Sequence, residues 1–203
     1  MPSDPVVFIV DDDPAVVRAL TELIELIDLK VEAYQSADDF LRAYQPSGPG
    51  CLVLDVRMPG MSGLELQQEL LRANISLPII MITGHGDIRM AVEAMSAGAF
   101  NFLEKPFRTQ ELCDNIQKAM RLDADCWKRR EQQAESNRRI SKLTPAEVEV
   151  MQLVVLGKTN KMMADELGLS VRAVEDRRGR MMRNLGIKSR AELMELAATA
   201  DAI

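Results

Sequence analysis

The stretch VVFIVDDDPAVVRAL (Val6–Leu20) decides how the rest of the chain is read. Its first five residues are apolar and favour extended backbone, the pattern of a strand covered on both faces. They run straight into three aspartates. Two carboxylates about 4 Å apart repel by roughly 4 kcal/mol at an effective dielectric of about 20, so a cluster aimed one way raises its own pKa values or needs a cation. A positive partner is therefore expected at the end of this strand.

Similar β-rich runs recur at VEAY (31–34), CLVLD (51–55), LPIIMIT (77–83) and FNFLE (100–104). Each is followed by helical apolar spacing, over about 14–27, 36–44, 63–73, 87–97 and 109–121, and Ser62 with Glu65 makes a capping-box pattern at the third helix. Five βα units in succession predict an α/β domain of flavodoxin-like type, a five-stranded parallel sheet over residues 1–121. In such a sheet, ligands bind outside the carboxyl ends of the strands where the strand order reverses. Asp11, Asp12 and Asp13 follow the first strand, Asp55 ends the third, Thr83 ends the fourth and Lys105 follows the fifth. Carboxylates suit a hard cation, while a hydroxyl and an ammonium suit phosphoryl oxygens, so one rim is expected to transfer a phosphoryl group to a carboxylate.

Beyond Arg121 the character changes. Residues 1–121 carry 10 Lys+Arg against 18 Asp+Glu, whereas the remainder carries 15 against 13, so net charges of −8 and +2 face different partners. Residues 122–141 hold neither proline nor glycine and few apolar positions, and read as a helical linker, with a flexible one as the competing view. Residues 142–203 read as an all-α domain of four short helices. Thr144-Pro145-Ala146-Glu147 opens the first, Gly157 closes it, and Lys158–Leu167 forms the second. Gly168-Leu169-Ser170 makes a tight turn into the third, Gly186 ends that helix, and Ser189-Arg190-Ala191-Glu192 is a further capping-box pattern. Two helices joined by a tight turn, the second rich in arginine, make a helix-turn-helix for DNA. Val171, Val174, Met181 and Leu185 are expected to face its core.

VDDD, LDVRMPGMSG, ITGHGD and FLEKPF, in this order and spacing, resemble the receiver domain of bacterial two-component response regulators. The stretches LTPAEVEVMQLVVLGKTNKMMADELGLS and RAVEDRRGRMMRNLGIKSRAEL resemble a LuxR/NarL-type helix-turn-helix, and the whole chain is similar to FixJ-like regulators. This resemblance implies that Asp55 accepts phosphate from a sensor histidine kinase, and that Mg²⁺ is held by Asp12, Asp55 and the backbone carbonyl of Arg57, with Asp11 assisting through water. It further implies that Thr83 and Lys105 bind the phosphoryl group and that Phe102 turns inward on activation. The charge and acceptors that a phosphoryl group adds at Asp55 are expected to favour a homodimer through the fourth helix and fifth strand, about 87–104. Asp13 is read as peripheral.

Arg172, Glu175, Asp176, Gly179 and Arg183 point outward on the third helix of the second domain by their spacing. Glu175 suits a cytosine amino group and Gly179 a close backbone approach, while Lys161, Arg177, Arg180 and Lys188 are read as phosphate contacts. Promoter DNA and RNA polymerase are the further partners expected. His85 is read as a loop residue, since a carboxylate nucleophile needs no base. The rival reading, a Mg²⁺-dependent phosphohydrolase with an aspartate nucleophile, wants a second acid two residues after the nucleophile, where Arg57 stands. A one-component DNA binder with an inactive receiver would lack the acidic set. No enzyme is expected. The scattered Cys51, Cys113 and Cys126, with neither a signal-like opening nor a membrane-length apolar run, point to a cytoplasmic protein.

Overall fold

Alternation inside the strands explains how the first half of the chain is built. In this computed structural model, which describes residues 4–84 and 88–200, the strands are β1 (Val6–Val10), β2 (Lys30–Tyr34), β3 (Gly50–Asp55), β4 (Ile79–Thr83) and β5 (Asn101–Glu104). All pair in parallel in the order β2-β1-β3-β4-β5, with Val6 opposite both Lys30 and Gly50, Leu52 opposite Ile79 and Ile80 opposite Asn101. The helices between them are α1 (Pro14–Glu25), α2 (Ala37–Ala43), α3 (Gly63–Arg72) and α4 (Ile88–Ser96), followed by α5 (Thr109–Ile140). Val6, Phe8, Val10, Leu52, Leu54 and Met81 share one apolar cluster with Phe40 of α2, Leu66 and Leu70 of α3 and Ala94 of α4. Val7, Ile9, Val53, Ile80 and Ile82 share the other with Leu20 and Ile24 of α1 and Leu112 and Ile116 of α5. Because both sheet faces are covered, every residue of β1, β3 and β4 is buried, and these strands read as unbroken apolar runs.

The chain divides into two units, Met1–Trp127 and Lys128–Ile203. In the first, the buried series Leu112, Ile116, Ala119, Met120 continues along α5 to Asp123, which is 2% exposed. Its Oδ2 accepts a hydrogen bond from the Gly50 N–H at 2.8 Å, at the opening of β3. Residues 122–140 lie within α5, which ends at Ile140, and residue 141 begins a turn.

The second unit packs α6 (Pro145–Val155), α7 (Asn160–Leu167), α8 (Val171–Leu185) and α9 (Arg190–Thr199) around Val150, Met151, Met163, Val174, Met181, Leu185 and Leu193. Ile140, the last residue of α5, belongs to this cluster, and the Arg139 guanidinium donates from Nε to the Leu185 carbonyl at the end of α8 at 3.0 Å. There it supplies a cation and a donor to the last carbonyl of the helix, while the N–H groups of Gly186 and Ile187 cover the Arg183 and Met182 carbonyls. Thr144 forms the expected capping box with Glu147. Helix α7 starts at Asn160 rather than Lys158, because the Thr159 side chain caps it. At Ser189 the reciprocal half of the expected box is displaced by one residue: the Glu192 carboxylate accepts from the Lys188 N–H. Val171 departs from the expected core set. As the first residue after the Ser170 cap it is 42% exposed, whereas Val174, Met181 and Leu185 are buried.

Candidate functional site

Four adjacent strand ends build the rim of the first unit. Asp11 follows β1 and is 1% exposed; Asp55, the last residue of β3, is 6% exposed; Thr83, the last of β4, is fully buried. Lys105 follows β5, tied by its own N–H to the Thr83 carbonyl at 2.7 Å. Its ammonium lies between the two acids, donating to Asp11 Oδ2 at 2.8 Å and to Asp55 Oδ1 at 2.9 Å. The cation that the aspartate run demanded is thus supplied from the end of the last strand, 94 residues beyond Asp11. Asp55 Oδ2 accepts from the Arg57 N–H at 2.7 Å, and Asp11 Oδ1 from the Asp13 N–H at 2.9 Å, so each carboxylate is fixed through both oxygens.

Burial pushes the Asp55 carboxyl above its usual pKa; Lys105 opposes that shift and the Asp11 charge adds to it. Burial by itself would lower Lys105, yet hydrogen bonds to and the charges of Asp11 and Asp55 outweigh it and leave the ammonium raised. Two carboxylates around one ammonium leave one net negative charge. All the side chains of the acidic set are oxygen donors, which fit a hard divalent cation. Asp12 is exposed at the same strand end, and among the described residues no three acidic, histidine or cysteine side chains are gathered at metal-ligand spacing.

The loop after Asp55 is fixed by a glycine whose role escaped the sequence reading. Gly63 opens α3 and donates to the Val56 carbonyl at 3.0 Å, and a Cβ on it would stand 2.2 Å from the Asp55 carbonyl oxygen. Only glycine permits this approach of α3 to the end of β3. Asp13, set aside as peripheral, is the N-cap of α1: its side chain accepts from the Ala15 N–H ahead of Pro14 at the first helical turn. The Asp-Pro pair was the signal for it. Phe102 is half-buried against the α2–α3–α4 cluster. His85 and residues 85–87 of the ITGHGD motif lie outside the described residues.

In the second unit, Gly168 adopts φ +64° as the C-cap of α7 and the Ser170 side chain caps α8, which makes the tight turn between them. Lys161, Arg172, Glu175, Asp176, Arg180, Arg183 and Lys188 are exposed, and Arg177 and Gly179 are half-buried. A Cβ on Gly179 would meet only the Arg183 guanidinium, at 3.6 Å, so this part of α8 is open to an incoming surface. Asn160, which no motif or periodicity marks as a contact residue, reaches α8 with its side chain at Glu175 and Arg178.

Residues 7–117 match the family described as response regulator receiver domain, and residues 141–197 match bacterial regulatory proteins of the luxR family. Nodulation protein W of Bradyrhizobium diazoefficiens is 46% identical over 197 residues, covering 96% of this chain and 86% of that protein. The transcriptional regulatory protein FixJ of Azorhizobium caulinodans is 40% identical over 200 residues, 98% of this chain and 95% of the relative. Among solved structures, the response regulator StyR is similar with a TM-score of 0.88 and 43% identity, covering 97% of this chain and 99% of that one.

Proposed function

This chain belongs to the two-component response regulators that join a receiver domain to a LuxR-type DNA-binding domain and regulate transcription, and from that premise we propose which residues carry the signal. Residues 1–121 act as receiver, 122–141 as helical linker and 142–203 as DNA-binding domain. Asp55 is the acceptor. One of its carboxylate oxygens attacks phosphorus on the phosphohistidine of a sensor kinase; the P–N bond breaks, an acyl phosphate forms, and the electron pair and a proton end on the kinase imidazole. Lys105 then leaves the Asp55 carboxylate for the phosphoryl oxygens while keeping Asp11, and the Thr83 hydroxyl binds a second oxygen. Mg²⁺, held by Asp12, Asp55 and the Arg57 carbonyl with Asp11 acting through water, would neutralise charge on the transferring group.

The observation that carries this reading is the Lys105 ammonium held between two buried carboxylates at adjacent strand ends. Labelling with acetyl phosphate and Mg²⁺ tests it: Asp55→Asn should abolish the label, and stoichiometric label on another aspartate would overturn the assignment.

Phosphorylation is further proposed to favour a homodimer through α4 and β5, over about 87–104. Ile88, Val92 and Met95 of α4 are 84%, 59% and 45% exposed, an apolar stripe at i, i+4, i+7 that gains from being covered. A phosphoryl group brings about −1.5 to −2 charge and draws Thr83 inward, which makes room for Phe102 to turn away from that surface. Moving a two-state equilibrium from 1% to 99% takes about 5.5 kcal/mol, so a shift of about 2–3 kcal/mol amplified by dimeric DNA binding is the expectation. Thr83→Ala should still accept phosphate yet respond weakly in sedimentation and DNA titration. A wild type that stays monomeric with unchanged DNA affinity would overturn the dimer. The dimer would bind paired promoter half-sites and RNA polymerase in the cytoplasm; among the described residues no helix is long and apolar enough to cross a membrane.

A further inference from the structure

Glu175 and Arg178 stand three residues apart on α8, a spacing at which an acid and a base ordinarily pair with each other. They form no ion pair here; among the described residues the side-chain carboxamide of Asn160, at the first position of α7, stands between them. Its Nδ2 donates to Glu175 Oε1 at 3.3 Å, and its Oδ1 accepts from Arg178 Nη1 at 3.1 Å. Only a carboxamide offers a donor and an acceptor side by side on one short stem. An aspartate would repel Glu175, and an alanine would let Arg178 fall onto it. Glu175 itself is exposed, and among the described residues none donates a hydrogen bond to its Oε2.

Resting on the reading that α8 enters the major groove, we propose that Asn160 is a positioning residue for base readout: it holds Glu175 by one oxygen so that the other is presented to the exocyclic amino group of a cytosine. Cytosine N4 is a donor that a carboxylate accepts from, and a carboxylate neutralised by its own arginine is a poor acceptor for it. Fixing the side chain before binding also removes an ordering cost that a free glutamate meets on the DNA. Hydrogen bonds at 3.1 and 3.3 Å on an accessible surface add little to folding stability, so the effect belongs to discrimination rather than to the fold.

The test uses the full chain treated with acetyl phosphate and Mg²⁺. A duplex site is selected from a random library with the wild type. Affinities are then measured for that site and its single-base-pair substitutions with wild type, Asn160→Ala, Glu175→Ala and the double variant. Asn160→Ala and Glu175→Ala should lose discrimination at the same base pair, by about five- to tenfold, the lower range for one base contact. The double variant should be no less selective there than Glu175→Ala alone. For Asn160→Ala, which changes no charge, binding to unrelated DNA, its salt dependence and the melting temperature should not move. Unchanged base preference in Asn160→Ala overturns the proposal, as does a loss spread over all positions together with a lowered melting temperature, which would mark a structural role only. Relaxation by Asn160→Ala at a base that Glu175→Ala leaves untouched overturns it too. A wild type without any sequence preference overturns the docking of α8 itself, and the role of Asn160 with it.

Discussion

The rim of the first unit and the exposed face of α8 both concentrate charge, and they hold it in opposite ways. At the rim, Asp11 and Asp55 are buried and each oxygen has a partner within the protein, with Lys105 serving both acids. On α8 the arginines at 172, 180 and 183 are exposed, and among the described residues no ion pair between them and an acid is formed. A buried cluster must be complete before any ligand arrives, since each uncompensated buried charge costs several kcal/mol. An exposed face can leave its cations to water and exchange that solvation for phosphates, at a strength that salt controls. The first region is therefore expected to fail by losing its fold or its chemistry, and the second by losing affinity alone.

The largest effect that would break this contrast lies at Gly63. Gly63→Ala places a methyl group 2.2 Å from the Asp55 carbonyl oxygen. The substitution should cost about 3 kcal/mol in urea unfolding of the first unit and suppress acetyl phosphate labelling. Unchanged stability and labelling would mean that α3 can retreat freely and that the rim is less rigidly built than its burial implies. A middle-sized effect is expected at Asp123, whose carboxylate satisfies the Gly50 N–H far from the rim. Asp123→Ala leaves that buried donor unpaired and should destabilise the first unit by about 2 kcal/mol, read by amide hydrogen exchange in β3. The smallest effect on folding sharpens the other side of the contrast. Arg180→Ala should leave the melting temperature unchanged, weaken binding to specific and unrelated DNA alike, and lower the log–log salt slope by about 1. Unchanged affinity and slope would show that Arg180 does not face the phosphates.

The same contrast governs how much could be read beforehand. The buried strands announced themselves as VVFIV, CLVLD and IIMIT because cover on both faces forces an unbroken apolar run, and register then brought Asp11, Asp55 and Lys105 together. Asp13 and Gly63 were visible as residues but not as roles. A cap needs the exact start of its helix, and a close approach needs coordinates for the neighbouring strand. Asn160 and Arg139 were illegible for a different reason, because each acts on a residue of another helix, at 175 and 178 or at 185, and periodicity carries no information about such crossings. Val171 was misread because spacing assigns a helix face without saying where the first turn emerges from the core.

The hydrogen bond from Gly50 to Asp123 bears on how such proteins exchange parts. A recombination that joined the first unit to a foreign partner at residue 121 would carry Gly50 along and leave its acceptor behind. The hybrid would start with a defect that no mismatch at the new junction explains. On the other side, a graft of the second unit begun at residue 141 would omit Arg139 and uncover the Leu185 carbonyl. Between these two obligations runs the exposed stretch Lys128–Gln132, where α5 owes neither unit a buried side chain. Crossovers there preserve both contacts, so the place where this helix tolerates a genetic seam is set by two hydrogen bonds rather than by the edges of the recognisable motifs.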